Sequence, residues 1–304
     1  MAVVVLGSIN LDLIARIKKV PRPGETGLAQ SMTTSPGGKG ANQALAARRM
    51  GAETTMLGMI GEDAFAMQAL KHLRQDGVDL SRIGVSKDRP TGLAMIVVEE
   101  SGQNAITVVP GANAAVGQEV LHDLTAVLTS RDILVLQLEV PLDVVERAIA
   151  VAHEVRARVL LDPAPAVDRL PKSCYRVDIL APNQFEAEAL VGGGPITDVR
   201  TAKAAARQLK SRGCEAAVVK LGEQGVVWAT GRGLFYLPGV PVPSVDAVGA
   251  GDAFAGALAA RLDAQFPLPD AIRIANLAAA ISTTKSGAQP SFPTWPEVAK
   301  AGKI

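Results

Sequence analysis

Short runs of Val, Ile and Leu alternate along this chain with longer, Ala-rich stretches whose apolar residues recur every three to four positions. The runs at 3–6, 54–60, 133–138, 159–161, 177–180 and 216–220 are rich in Val, Ile and Leu with few polar residues, as expected of strands buried on both faces. The periodic stretches at 40–50, 63–75, 118–128, 142–155, 184–191, 199–211, 251–262 and 269–285 predict helices. Strands that alternate with helices predict an α/β fold, with a mostly parallel sheet covered on both sides.

Two stretches break this rhythm. Residues 13–35 contain Pro21-Arg-Pro-Gly24 and then a polar, β-prone segment. Residues 91–110 alternate loosely around Glu100-Ser-Gly102, which reads as a hairpin. Together they predict a small antiparallel sheet that projects as a lid; an edge extension of the main sheet is the alternative.

Ligands of open parallel sheets bind at the carboxyl ends of the strands, and polar residues gather at those ends here. Asn10 and Asp12 follow the first run and share a face if the chain stays extended. Glu139, Asp162 and Asn183 end later runs, with Glu186 one helical turn beyond Asn183. Lys220 precedes a glycine-rich turn containing Gly222 and Gly225.

Two glycine clusters introduce helices. In Asp246-Ala-Val-Gly-Ala-Gly-Asp252, a glycine turn feeds a strongly apolar helix. The open amides of such a helix start suit an anion, and Gly249 and Gly251 let a phosphate approach the backbone. Asp252 beside that site is either a base for a hydroxyl that attacks phosphate or merely a favourable first-turn acid. The cluster Ser35-Pro-Gly-Gly-Lys-Gly-Ala-Asn-Gln43 reads most simply as a tight turn into a helix. Its other reading places Gly37, Gly38 and Asn42 against a polyhydroxyl ligand. It lacks Walker spacing, and no strand is followed by G-x-G-x-x-G, so neither nucleotide fingerprint applies.

Composition narrows the chemistry. Formal charge is +1 from 31 basic and 30 acidic residues, and aromatics are 3%, so nothing favours nucleic acid or an anionic membrane. Cys174 and Cys214 have no metal or redox spacing and read as reduced thiols of a cytoplasmic protein. The N-terminal run is too short for a signal peptide and lacks a basic leader, and no run reaches transmembrane length. His72, His122 and His153 fall in separate helical patterns and are expected on solvated faces. Without a metal cluster or a nucleophile motif, catalysis rests on carboxylates, backbone amides and a bound cation, which suits phosphoryl transfer.

The motifs Gly7-Ser-Ile-Asn-Leu-Asp12, Gly37-Gly-Lys-Gly-Ala-Asn-Gln43, Pro110-Gly-Ala-Asn113, Gln137-Leu-Glu139, Pro182-Asn-Gln-Phe-Glu186, the 246–252 stretch and Gly287-Ala-Gln-Pro-Ser291 span nearly the whole chain. In this order they resemble the ribokinase (phosphofructokinase-B) family of sugar kinases. The resemblance implies one kinase domain over residues 1–304, with a Rossmann-like α/β/α core and a small β lid built from about 13–36 and 91–110.

It also implies roles. Asp252 would take the proton of the sugar's primary hydroxyl, and Gly249, Ala250 and Gly251 would form an anion hole. Asn10, Asp12, Gly38, Lys39, Asn42 and Glu139 would hold the sugar. Asn183 and Glu186 would position Mg²⁺ and phosphates, largely through water. Lys220, Gly222, Gly225 and Gly251 would meet the nucleotide, with Asn276 near adenine. Asp246, Val248, Ser282, Lys285, Gly287 and Ser291 would bind a monovalent cation, K⁺.

The activity implied is ATP-dependent phosphorylation of a sugar, D-ribose to D-ribose 5-phosphate foremost, by a cytoplasmic homodimer paired through its lids. Another substrate of the family (deoxyribose, fructose or a nucleoside) is the first alternative, and a non-catalytic sugar sensor the second. Two positions depart from the family pattern: Ala247 stands where threonine is frequent, and Lys220 where a small hydroxyl residue is frequent.

Overall fold

A computed structural model of the protein describes residues 2–22, 24–101 and 103–304. Met1 of the first run, Pro23 of the 21–24 segment and Gly102 of the hairpin turn lie outside the described residues. The strands are β1 (Val3–Leu6), β2 (Asn10–Ile17), β3 (Ala29–Gly37), β4 (Thr54–Gly61), β5 (Asp79–Ser86), β6 (Gly92–Glu99), β7 (Asn104–Val109), β8 (Ile133–Leu136), β9 (Arg158–Leu161), β10 (Ile179–Leu180), β11 (Ala216–Lys220), β12 (Val226–Thr230) and β13 (Gly233–Leu237).

Nine of them form one sheet, ordered β13-β12-β11-β10-β9-β8-β1-β4-β5. It is parallel except at one edge, where β12 and β13 run antiparallel. Successive side chains of a strand point to opposite faces, so β1 feeds two cores. Val3 and Val5 pack with the helices Lys39–Arg49, Ala250–Asp263 and Leu268–Ser282. Val4 and Leu6 pack with Gln118–Val127, Leu142–Val155, Gln184–Val191 and Val199–Ser211 on the other side. Every residue of β1 and β8 is buried, which is why these strands read as unbroken apolar runs.

The expected helix at 63–75 divides at Leu70 into Ala64–Ala69 and Lys71–Gln75. The periodic pattern did not announce β5, β12, β13 or the helix Trp295–Gly302. Three of these are edge elements, whose half-buried residues blur the pattern.

The remaining strands form a separate four-stranded sheet in the order β3-β2-β6-β7. They are the lid segments, and they do not extend the main sheet. The sheet is mixed rather than antiparallel: β2 pairs with β3 and β6 with β7 antiparallel, but β2 and β6 run parallel. Both of those strands leave the core in the same direction. The lid also starts earlier than residue 13, because β2 already begins at Asn10.

Candidate active site

Two helix starts meet at the carboxyl edge of the large sheet. The helix Lys39–Arg49 is entered through Gly38 at φ 88°, where a Cβ would lie 2.8 Å from the Asn10 amide. The helix Ala250–Asp263 is entered through Gly249 at φ 79°, where a Cβ would press on Ala288 at 2.8 Å. Only glycine takes both the left-handed turn and the close approach without strain. The helices then pack along an alanine-rich seam, with Gly256 against Ala46 and Ala47. That packing brings the start of one helix, Asn42 and Gln43, onto the first turn of the other, Asp252.

Asp252 is 6% exposed, and both of its carboxylate oxygens accept hydrogen bonds. Asn42 Nδ2 donates to Oδ2 at 2.9 Å and Gln43 Nε2 to Oδ1 at 3.0 Å. A first-turn aspartate is expected to stay readily ionised, yet here its pKa is raised. Burial is the main cause and Asp162 adds to it, outweighing Lys39 and the two amide donors. The shift makes Asp252 a stronger base than an exposed aspartate. The Gly249 turn leaves the amides of Gly251 and Asp252 without a backbone acceptor among the described residues, while the Ala250 amide makes a long 3.2 Å bond to Ala247 O.

The groups expected to hold a sugar surround this carboxylate. Asn10 and Asp12 share one face of β2, as the extended reading required. Asn10 is buried and accepts from Asn113 Nδ2 at 2.7 Å. Glu139 accepts from Ser8 Oγ at 2.5 Å and from the Lys39 amide at 3.1 Å, which ties the end of β8 to the Gly38 turn. Burial first, then Glu139 and Asp252, pushes the Asp12 carboxyl up to about 7. Burial opposes the charge on Lys39, but Asp252, Asp162, Glu139 and Glu186 outweigh it and raise its pKa. Hydrogen-bonding acids and amides of this kind around one enclosed carboxylate suit a polyhydroxyl ligand.

On the far side of the Gly249 turn, Asn183 and Glu186 close a reciprocal capping box, with Glu186 N to Asn183 Oδ1 at 2.9 Å and Asn183 N to Glu186 Oε2 at 2.7 Å. Burial and the neighbouring Asp162 raise the pKa of Glu186. Asn183 also bridges to Lys220 at the end of β11, and Gly222 and Gly225 bound a short 3₁₀ turn after it. Asn276 donates to Pro238 O at 3.1 Å, linking the helix Leu268–Ser282 to the loop after β13. Asp246 holds the remaining loop: Oδ1 accepts from Val248 N at 3.0 Å and Oδ2 from Gly287 N at 2.8 Å. Ser282 and Ser291 are buried and cap local carbonyls, while the Lys285 side chain turns away to Glu297 at 3.6 Å.

Sequence reading missed the polar groups behind these residues. Gln43 is fully enclosed and donates to Asp162 Oδ2 at 2.9 Å as well as to Asp252. Its oxygen accepts from Gln137 Nε2 at 2.7 Å, which fixes the amide orientation. Gln289 Nε2 donates to Asn42 Oδ1 at 3.0 Å, and its oxygen meets His72 Nδ1 at 3.1 Å. His72 is therefore half-buried beneath the site rather than on a solvated face, whereas His122 and His153 are exposed. The available signal was position: Gln43, Gln137 and Gln289 all stand inside the quoted motifs.

Among the described residues, no group of three or more His, Cys, Asp and Glu side chains could hold a metal ion. No helix among them is long and apolar enough to cross a membrane. Both cysteines are free, and burial pushes each thiol up to about 11.

An enclosed carboxylate beside an open-amide helix start, next to a separate small sheet, suits a sugar kinase site. Residues 2–295 match the pfkB family carbohydrate kinase pattern. The chain belongs to the pfkB family of carbohydrate kinases. Ribokinase of Haemophilus influenzae is 36% identical over 293 residues, 96% of this chain and 95% of that protein. Deoxyribokinase of Salmonella typhi is 35% identical over 295 residues, 97% and 96% of the two chains. In three dimensions the chain is similar to Arabidopsis thaliana ribokinase complexed with ribose and ATP, with TM-score 0.91, 29% identity and coverage of 100% and 99%. The pfkB carbohydrate kinase fold, a three-layer core with a small β lid, is thus the architecture of this chain.

Proposed function

We propose that the protein transfers the γ-phosphoryl group of ATP to the primary hydroxyl of D-ribose, giving D-ribose 5-phosphate and ADP. The observation that carries this reading is the position of Asp252. Its carboxylate lies between the hydroxyl-binding groups Asn10, Asp12, Lys39, Asn42 and Glu139 and the open amides of the Gly249 turn.

In the reaction the sugar's 5-oxygen attacks the γ-phosphorus while its proton passes to Asp252. A new P–O bond forms, and the bond to the bridging oxygen breaks with its electron pair going to ADP. The amides of Gly249, Ala250 and Gly251 receive the transferring oxygens, with Ala250 giving up its long bond to Ala247. Because the transition state is loose, positioning and charge neutralisation contribute more than base strength. Lid closure over the sugar excludes water, the competing acceptor.

The donor sets fit two ions. Asn183 and Glu186 offer hard oxygen ligands already engaged in a capping box, which suits a hold on Mg²⁺ through water. When bound, Mg²⁺ neutralises phosphate charge. The loop tied by Asp246 would hold K⁺ through the main-chain oxygens of Val248, Ser282, Lys285 and Gly287 and the Ser291 hydroxyl, whose proton already serves Ala288 O. Lys220, Gly222, Gly225 and Asn276 line the path assigned to the nucleotide. Two buried, reduced thiols and an ATP co-substrate suit the cytoplasm.

The lid suits a second copy. Beyond Asn10 and Asp12, the same sheet face continues through Ile14, Ile96, Ile106 and Val108, with Ile106 56% and Val108 48% exposed. An apolar face that continues the sugar site is covered when two lids pair, giving a homodimer.

The second substrate reading is deoxyribose, favoured by the identity to the Salmonella enzyme. A carboxylate at Asp12 favours ribose, since adjacent hydroxyls satisfy it and a deoxy analogue leaves a buried acceptor unpaired. A coupled ADP assay over pentoses, hexoses and nucleosides, with Mg²⁺ and with or without K⁺, decides. Ribose should exceed deoxyribose at least about tenfold in kcat/KM. The reverse order transfers the assignment to deoxyribose, and sugar binding without turnover makes the protein a sensor.

A further inference from the structure

Lys220 occupies an electrostatically awkward place. Its ammonium lies 3.6 Å from where a Cβ on Gly251 would be, over the first turn of the helix Ala250–Asp263. A helix start carries positive potential and disfavours a cation. The lysine side chain is only 12% exposed, so water does not offset the repulsion. It is held there by an ion pair of 2.9 Å to Asp162, whose own side chain is 2% exposed.

The donors around this point have no acceptor among them. Of the three N–H groups of Lys220, one meets Asp162, and no other hydrogen bond from Nζ occurs among the described residues. The amides of Gly251 and Asp252 on the same turn are also open. An ammonium with two N–H groups to spare, next to two open backbone amides, suits an anion held between them. Meanwhile Asp162 Oδ2 accepts from Gln43, and Gln43 donates onward to Asp252. One continuous chain, Lys220–Asp162–Gln43–Asp252, thus fixes a cation and the base on two sides of Gly251.

We infer that Lys220 is a catalytic residue that binds the γ-phosphoryl oxygens of ATP during transfer, and that Asp162 is a positioning residue that aims it. The inference rests on the kinase reading above and deepens it. Lys220 then does more than line the nucleotide loop: it carries a fixed positive charge to the group in flight, next to the proposed K⁺ loop in which Ala247 offers no hydroxyl. Asp162 keeps the ammonium from swinging to solvent and, through Gln43, keeps it in register with Asp252.

The test must separate this role from a structural ion pair, because Lys220→Met alone leaves Asp162 buried and unpaired. The double variant Asp162→Asn/Lys220→Thr removes both charges together. It should fold with a melting temperature close to that of the native protein and a sugar KM within about twofold. Its kcat should fall about ten- to a hundredfold, and Lys220→Arg should recover part of that loss. A double variant with native kcat overturns the inference, since the pair would then be structural only. A second measurement needs no turnover: calorimetry of a non-hydrolysable ATP analogue against ADP. Native protein should favour the analogue more than the double variant does, by about tenfold, and an unchanged ratio overturns the inference. If native protein phosphorylates no sugar in the panel, the kinase reading fails alone, and the analogue-to-ADP ratio still decides Lys220.

Discussion

The carboxyl edge of the large sheet and the lid invert each other's surface logic. At the sheet edge, polar side chains are buried: Asn10, Asn42, Gln43, Asp162, Glu186 and Asp252 all lie in the interior. On the lid, apolar side chains are exposed, with Ile106 at 56% and Val108 at 48% on one face. Burying polar groups is costly unless they are paired, and exposing a contiguous apolar face is equally unusual. Each arrangement suits a partner of its own. The edge has internal hydrogen bonds for most of its groups but leaves donors open around Gly251, which suits an anionic substrate. The lid has its backbone paired in a sheet but leaves one face bare, which suits a second lid.

The largest expected effect tests the edge. Asp252→Asn keeps the hydrogen bonds of Asn42 or Gln43 in part and removes the proton acceptor. Turnover should drop by about 10²- to 10⁴-fold while sugar binding by calorimetry stays measurable. Native-level turnover would remove Asp252 from the mechanism.

On the lid, Ile96→Asp with Ile106→Asp places facing carboxylates on the apolar strip. Sedimentation should register at least about a hundredfold weaker self-association. An unchanged association state, or a native protein that is monomeric, assigns the face to something other than a second copy.

Gly249→Ala places a Cβ against Ala288 in a left-handed turn. It should cost about 1–2 kcal/mol of stability and lower kcat more than it raises sugar KM. Equal stability by denaturant unfolding would argue that the turn relaxes freely.

The smallest effect concerns Asp12. Its carboxyl keeps a proton up to about 7 in the fold, but releases it near 3.8 in the unfolded chain. Between those values the folded state binds more protons, so stability declines as pH rises through the window and the penalty is complete above it. Asp12→Asn should therefore be more stable than the native protein at pH 8, by on the order of 1–3 kcal/mol, with no difference near pH 4. A stability difference that does not grow with pH contradicts the burial of this carboxylate.

Much of this contrast was legible in the chain. The strands Val3–Leu6 and Ala216–Lys220 read correctly because a strand covered on both faces must be apolar throughout. The shared face of Asn10 and Asp12 followed from the two-residue repeat of an extended chain. Strand β5 was missed because its burial is partial along most of its length. Gln43 was missed for a different reason: it is a polar residue near the start of a helix, where polar side chains are usually solvated. Nothing local in the sequence says that this turn faces another helix start.

The sequence by itself determined the layer order and the two glycine turns and, through its family resemblance, singled out Asp252 as the candidate base, because these depend on local periodicity, on left-handed backbone and on motif order. Tertiary structure alone decided which side chains meet. Gln43 joins Asp162 to Asp252 across more than a hundred residues of chain, and Lys220 stands over Gly251, because parallel strands deliver distant segments to one edge. Burial is likewise a property of the assembled layers. It raises the pKa of Asp252 and Asp12 above that of an exposed carboxylate, and no spacing along the chain encodes it.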